Sequence, residues 1–107
     1  MRQIRPDELK QWLDDPKRQP PLLLDVREPW EFDHCHIPNA RLEPMGSIPN
    51  RLAELDAQRE TVVICHHGVR SYHVARFLEH NGFKNVINLS GGVDAWAKEV
   101  DRTMPLY

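Results

Sequence analysis

Thr61-Val-Val-Ile-Cys-His-His-Gly-Val-Arg-Ser71 is the stretch that decides the fold. Its first four residues form an apolar, β-branched run, the pattern of a short buried strand. A cysteine stands where the strand ends, and a loop, an arginine and a serine follow. Ser71 is expected to cap a helix whose apolar stripe is Val74, Ala75 and Leu78. Asn81-Gly82 supplies a stop, with Gly82 suited to the left-handed position after the helix and Phe83 able to pack back on its last turn. The unit is strand, loop, helix, with one thiol at the strand's carboxyl end.

The same alternation continues outward in both directions. Ahead of it, Leu22-Leu-Leu-Asp25-Val26 follows a Pro-Pro pair as an unbroken apolar run, the mark of a strand covered on both faces. It ends on Asp25 and Arg27, polar groups at a strand's carboxyl end, where open α/β sheets place their sites. Glu28 to Asp33 reads as a short helix with Pro29 in its first turn. Ala40 to Leu42 reads as a short strand, and Ser47 as the cap of a helix over Ile48 to Leu55, whose Ile48, Leu52 and Leu55 share a face. At the amino end, Ile4 is extended and Pro6 opens a helix with Asp7 and Glu8 in its first turn and Leu9, Trp12 and Leu13 on its apolar side. Asp14 to Pro21 is a loop by composition. Downstream, Asn85 to Leu89 is another buried strand, and Ser90-Gly-Gly92 separates it from a last helix over Val93 to Val100. Strands alternating with helices predict an α/β fold, an open parallel sheet with helices on both faces. Trp12, Trp30 and Trp96 each fall in an apolar helical pattern and are expected to anchor the core.

A chain of 107 residues is expected to be one domain, residues 1–107, with a single core. A net charge of −2 and a pI near 6.3 argue against nucleic acid as a partner. Two cysteines suggest no disulfide framework and favour a reducing compartment. With no long apolar run and no signal pattern at Met1-Arg-Gln-Ile-Arg5, no membrane association is expected and the default location is cytoplasmic.

The chemistry gathers on the central stretch. A thiolate is the nucleophile and a thiol is not, so a reactive cysteine needs surroundings that favour its charged form. Backbone N–H groups of a curling loop and of a helix N-terminus carry partial positive charge and also hold a bound anion. Gly68 removes a Cβ that would obstruct the curl, and Arg70 adds full positive charge. No other part of the chain concentrates these features.

Cys65-His-His-Gly-Val-Arg70 followed by Ser71 resembles the active-site loop of the rhodanese sulfurtransferases. Leu24-Asp-Val-Arg-Glu-Pro-Trp-Glu-Phe32, with His36-Ile-Pro38 and Ala40, resembles that family's upstream motif, and Leu89-Ser-Gly-Gly-Val-Asp-Ala-Trp96 its downstream one. The resemblance covers residues 4 to 105 and implies the rhodanese fold, a catalytic Cys65 that carries sulfur as a persulfide, and a substrate-binding loop of His66, His67, Gly68, Val69 and Arg70. It also implies that Asp25 and Arg27 lie behind the loop and help hold it, and that Ser71 supports the site as well. Thiosulfate or a related sulfane donor, and a thiol or cyanide acceptor or a protein one, would be the substrates; no cofactor is implied. Three places depart from the family pattern: Cys35 and Asn39 replace residues that are usually glycine, and the glycine often found before Pro105 is missing. Asn39 tolerates positive φ and can keep its turn.

Each candidate has a plainer reading. Cys65 could be a small apolar core residue, and Asp25 with Arg27 a surface pair of little energetic weight. His66 and His67, or His34-Cys35-His36, lack the ligand spacing of a zinc site, so no metal is expected. His36 reads as a buried, hydrogen-bonded structural residue, and Cys35 as an exposed or half-buried bystander rather than a resolving thiol. Two other functions compete: a sulfur carrier or interaction module with a dedicated protein partner, and a phosphatase or arsenate reductase. Enzymes of that last kind on the rhodanese fold carry Cys-x5-Arg, one residue longer than the loop here.

Overall fold

The computed structural model describes residues 1–107. Five strands, β1 (Arg2–Ile4), β2 (Leu22–Asp25), β3 (Arg41–Leu42), β4 (Thr61–Ile64) and β5 (Val86–Leu89), form one sheet in the order β1-β5-β4-β2-β3. Every pairing is parallel. The helices are α1 (Pro6–Asp14), α2 (Pro29–His34), α3 (Ile48–Arg51), α4 (Val69–His80) and α5 (Gly92–Glu99). None is long and apolar enough to cross a membrane.

Side chains alternate across the central strands as the period of two demands. Val62, Ile64, Ile87 and Leu89 pack with Leu9, Trp12, Val93 and Trp96 of α1 and α5. Val63, Cys65 and Val86 pack with Ile48, Val74, Ala75 and Leu78 of α3 and α4. The expected parallel sheet with helices on both faces is therefore what forms, with β4 buried on both sides. The chain starts at β1 on one edge, crosses to β2, steps outward to β3, then returns past β2 to lay down β4 and β5, the last of them between β4 and β1. That reversal lies between β2 and β4, so the crevice at their carboxyl ends is where an open α/β sheet places its site. Asp25, Arg27 and Cys65 all stand there.

Several local expectations are corrected. Arg2–Ile4 is an edge strand paired to β5, starting ahead of the extended residue or two at Ile4 that the sequence suggested. Ser71 does not cap α4: Gly68 does, in the left-handed conformation, and Ser71 lies inside the first turn. Ser47 stands at the N-cap position of α3 as expected, but its hydroxyl donates to the Pro44 carbonyl and makes no capping bond to the helix. The helix expected over Ile48 to Leu55 stops at Arg51, whose backbone at φ −110° and ψ 0° turns the chain into a 3₁₀ segment, Leu52–Glu54. Its buried face survives, since Ile48 and Leu55 both reach the core. Trp12 and Trp96 are core residues, but Trp30 is 64% exposed and packs edge-on against Tyr107. The helical pattern around Trp30 reported amphipathicity, yet α2 turns the tryptophan outward and buries Glu31 instead.

The turn residues behave as their chemistry predicts. Asn39 takes φ 70°. Gly82 takes φ 88°, the Phe83 amide bonds back to the Leu78 carbonyl, and the Phe83 side chain is buried against that helix end.

Candidate active site

Cys65 follows β4 directly and is 1% exposed, its Sγ turned back into the loop that leads to α4. The Gly68 amide donates to Sγ at 3.1 Å, and the Ser71 hydroxyl lies 3.2 Å from it on the other side. The amides of His66, His67, Val69 and Arg70 donate to no protein acceptor. They leave a cradle of unused donors beside the sulfur, at the positive end of a 12-residue helix. Val69 contributes only its backbone, because its side chain is exposed.

Two glycines let the loop lie this close. Gly68 takes φ 100°, and a Cβ there would sit 3.2 Å from the Gly91 amide. Gly92 takes φ 59°, and a Cβ there would overlap the carbonyl oxygens of Cys65 and His66. With only hydrogens in that space, the first turn of α5 closes on the loop: the Val93 amide bonds the Cys65 carbonyl at 2.9 Å and the Asp94 amide the His66 carbonyl at 3.1 Å. The chain around the thiol is thus held from β4, α4 and α5 together.

Arg70 does tie the loop down, and its partner is Glu31 of α2, which sequence reasoning left without a role. The guanidinium donates to both carboxylate oxygens, at 2.7 and 2.8 Å, the bidentate arrangement that fixes direction as well as distance. Arg70 holds the Glu31 carboxyl down to about 2, with the Glu28 amide and the Tyr107 hydroxyl adding to the effect and burial opposing it. Hydrogen bonding to Glu31 raises Arg70 in turn.

Asp25 and Arg27 form no surface pair; both are fully buried, joined at 2.7 Å. Arg27 also donates to the carbonyls of Glu31 and Cys35 and to the Tyr107 hydroxyl. Burial works against its charge, and the bonds to Asp25 and Tyr107 outweigh that and raise it. Arg27 therefore sits behind α2 and carries Glu31 toward the loop, which is how the Asp-x-Arg pair supports it. Tyr107 completes the assembly. Its hydroxyl accepts from Arg27 at 2.9 Å and donates to Glu31 at 2.8 Å, and its ring stacks on His66 at 3.8 Å. Burial, reinforced by Glu31, pushes the phenol up to about 12, so it stays protonated and able to donate.

His66 is half-buried between the rings of Tyr107 and His67. Burial and the neighbouring His67 lower its basicity. His67 is exposed, 4.0 Å from Asp94. The three side chains have ligand atoms within 4.8 Å of one another. The two imidazoles are stacked, with centroids 3.9 Å apart and 29° between their planes. His36 is hydrogen-bonded to the Phe32 carbonyl but exposed, not buried. Cys35 is buried, a correction to the exposed or half-buried bystander, and belongs to the core on the α1–α5 side of the sheet. Cys65 belongs to the opposite core, which leaves Cys35 poorly placed as its resolving thiol.

Asn88, like Glu31 and Tyr107, is a residue the sequence did not single out. It is buried in β5 and accepts the Ser71 hydroxyl at Oδ1. In the sequence it is one polar residue in a strand that otherwise reads Val-Ile-Leu, and a buried amide inside an apolar strand is itself a signal. A cavity of about 600 Å³ between α1, Pro20-Pro21 and Trp96 lies at the amino ends of the strands and includes no residue of the loop.

A rhodanese-like domain matches residues 5–99. The chain belongs to the rhodanese family. Over 77 residues, 72% of either chain, this rhodanese is 42% identical to a protein of Allochromatium vinosum named sulfurtransferase. It is 39% identical over 106 residues to the probable adenylyltransferase/sulfurtransferase MoeZ of Mycobacterium tuberculosis, covering 97% of this chain but only 26% of that protein. The chain thus spans about a quarter of the length of that relative. Among solved structures, a rhodanese-like domain protein from Staphylococcus aureus superposes with a TM-score of 0.84 at 36% identity, over 100% of this chain and 99% of that one.

Proposed function

We propose that this rhodanese moves a sulfane sulfur from thiosulfate or a related donor to a thiophilic acceptor through a persulfide on Cys65, within a single domain over residues 1–107. The observation that carries the reading is the setting of Sγ: one amide already on it, four unused amides beside it, and an arginine fixed at the loop's end. The Cys65 thiolate attacks the outer sulfur of thiosulfate. As the new S–S bond forms, the old one breaks and sulfite leaves with the electron pair. Sulfite carries off the donor's charge, and the loop amides of His66 to Arg70 hold whatever negative charge remains on the bound sulfur. A second nucleophile, cyanide in an assay or a thiol or protein acceptor in the cell, then attacks the outer sulfur and releases the thiolate. Two half-reactions predict ping-pong kinetics. With Sγ almost wholly covered, a donor whose transferable sulfur is terminal reaches it most readily. The unpaired cysteines suit a reducing compartment such as the cytoplasm.

Intact mass spectrometry after incubation with thiosulfate tests this directly. The wild-type protein should gain one sulfur atom, lose it to cyanide, and gain none as Cys65→Ser. Sulfur bound covalently to the Cys65→Ser protein would overturn the assignment.

A further inference from the structure

The thiol has a charged side and a neutral side, and the neutral side is wired in one direction. The charged groups nearby lie on the loop, the first residues of α4, β2, α2 and α5: Arg70 held by Glu31, His66 and His67, Asp94 paired with Lys98, and the buried Asp25–Arg27 pair. Toward Ser71, β5 and β1 a chain of neutral groups leads away from the thiol, from Ser71 to Asn88 to Gln3. The hydrogen positions along this chain are fixed by its far end. Asn88 Nδ2 lies 3.2 Å from the Gly68 carbonyl, which can only accept, so the amide cannot be flipped and Oδ1 must face Ser71. Gln3 Oε1 accepts from the same Nδ2 and from Ser90. Oδ1 is an acceptor only, so the single Ser71 hydroxyl proton is committed to Asn88. Ser71 therefore turns a lone pair, not a proton, toward Sγ. That arrangement accepts an S–H and opposes a thiolate.

We infer that Asn88 is a positioning residue that sets the reactivity of Cys65 by holding the Ser71 proton away from the sulfur. The inference rests on Cys65 being the reactive thiol. While Cys65 is protonated, its S–H points to Ser71 Oγ and the Ser71 O–H points to Asn88. When the thiol proton is lost to solvent, the Ser71 hydroxyl rotates and donates to Sγ, and Asn88 Oδ1 gives up its donor. The swing costs the Asn88 bond, so Asn88 restrains the charged form and Ser71 supplies what stabilises it.

The experiment is the pH dependence of iodoacetamide alkylation, followed at the Cys65 peptide by mass. A hydrogen bond to a charged acceptor corresponds to a shift of roughly one pH unit, or about tenfold in thiolate at fixed pH. Asn88→Leu frees the Ser71 proton and should lower the midpoint by about that much. Ser71→Ala removes the donor and should not lower it. In the Ser71→Ala background, Asn88→Leu should have no further effect, which a merely structural role for Asn88 would not produce. Should Asn88→Leu fold poorly, the nearly isosteric Asn88→Asp keeps an acceptor on Ser71, strengthens its hold and should move the midpoint up. A Ser71-independent shift, an upward shift in Asn88→Leu, or no shift in a folded Asn88 variant would overturn the inference. If the wild-type Cys65 alkylates normally but takes no sulfur from any donor, the sulfur-transfer reading fails while this one stands.

Discussion

Replacing Glu31 with Gln perturbs the site at its best-defined electrostatic contact. The carboxyl is nearly fully buried and is held from an ordinary value of 4.5 to about 2 by the bidentate Arg70, with smaller help from the Glu28 amide and Tyr107. A depression of that size corresponds to about 3 kcal/mol of folding stability at neutral pH. Arg70 is about a third exposed, so water screens part of the interaction and a loss of about 2 kcal/mol is the better expectation. Because the folded value lies below the unfolded one, this stability is present above pH 4.5 and disappears as pH falls through about 2. The wild type and Glu31→Gln should therefore differ by about 2 kcal/mol in urea unfolding at pH 7, by less than half of that at pH 3, and converge in stronger acid. Every other carboxylate is present in both proteins and cancels from the difference. A gap below about 0.5 kcal/mol at pH 7, or one that stays constant between pH 7 and pH 3, would refute the claim that an ionised Glu31 holds the loop.

Gly92→Ala should cost about 3 kcal/mol in urea unfolding and abolish sulfur transfer, since the added Cβ meets two backbone carbonyls at a left-handed position. Gly46→Ala, where nothing lies within 4 Å and φ is ordinary, should stay within about 0.5 kcal/mol of wild type. Tyr107→Phe keeps the ring on His66 but removes the bonds to Arg27 and Glu31, and should lower stability by about 2 kcal/mol in the same assay. Phenyl phosphate should not be turned over by the wild-type protein; measurable hydrolysis that disappears in Cys65→Ser would speak for the phosphatase reading.

The sheet and the thiol were legible because both depend on local pattern. Apolar runs at Leu22 and Thr61 could only be strands buried on both faces, and a cysteine with Gly68 and Arg70 after the second run could only stand at the sheet's carboxyl edge. Position in the loop could be read, but partnership across the fold could not. Arg70 and Glu31 are 39 residues apart, and Tyr107 meets Glu31 across 76. No periodicity links such residues. Asp25 and Arg27 could be placed behind the loop only by the family resemblance; composition alone leaves a surface pair open, because nothing local says that Tyr107 will close over them. Ser71 shows the opposite failure: its residue type suits a helix cap, but Gly68 at φ 100° starts the helix three residues earlier, and tertiary contact with Asn88 decides what the hydroxyl does.

The same geometry bears on why the site suits sulfur rather than a phosphoryl group. Attack on phosphorus requires three equatorial oxygens to spread around the nucleophile, with donors and an arginine free to receive them. Here Arg70 is already committed through both of its terminal nitrogens to Glu31, and Sγ is nearly enclosed. A terminal sulfane sulfur makes a smaller demand: one atom approaches in line, and its charge can be taken by backbone amides alone. The loop offers those amides, since His66, His67, Val69 and Arg70 have no protein acceptor for theirs. The ion pair that takes Arg70 from phosphate chemistry also holds the loop in the curl that aims those amides at the sulfur. Glu31 thus acts on selectivity and on shape through one contact, and weakening it should loosen the cradle before it alters the chemistry.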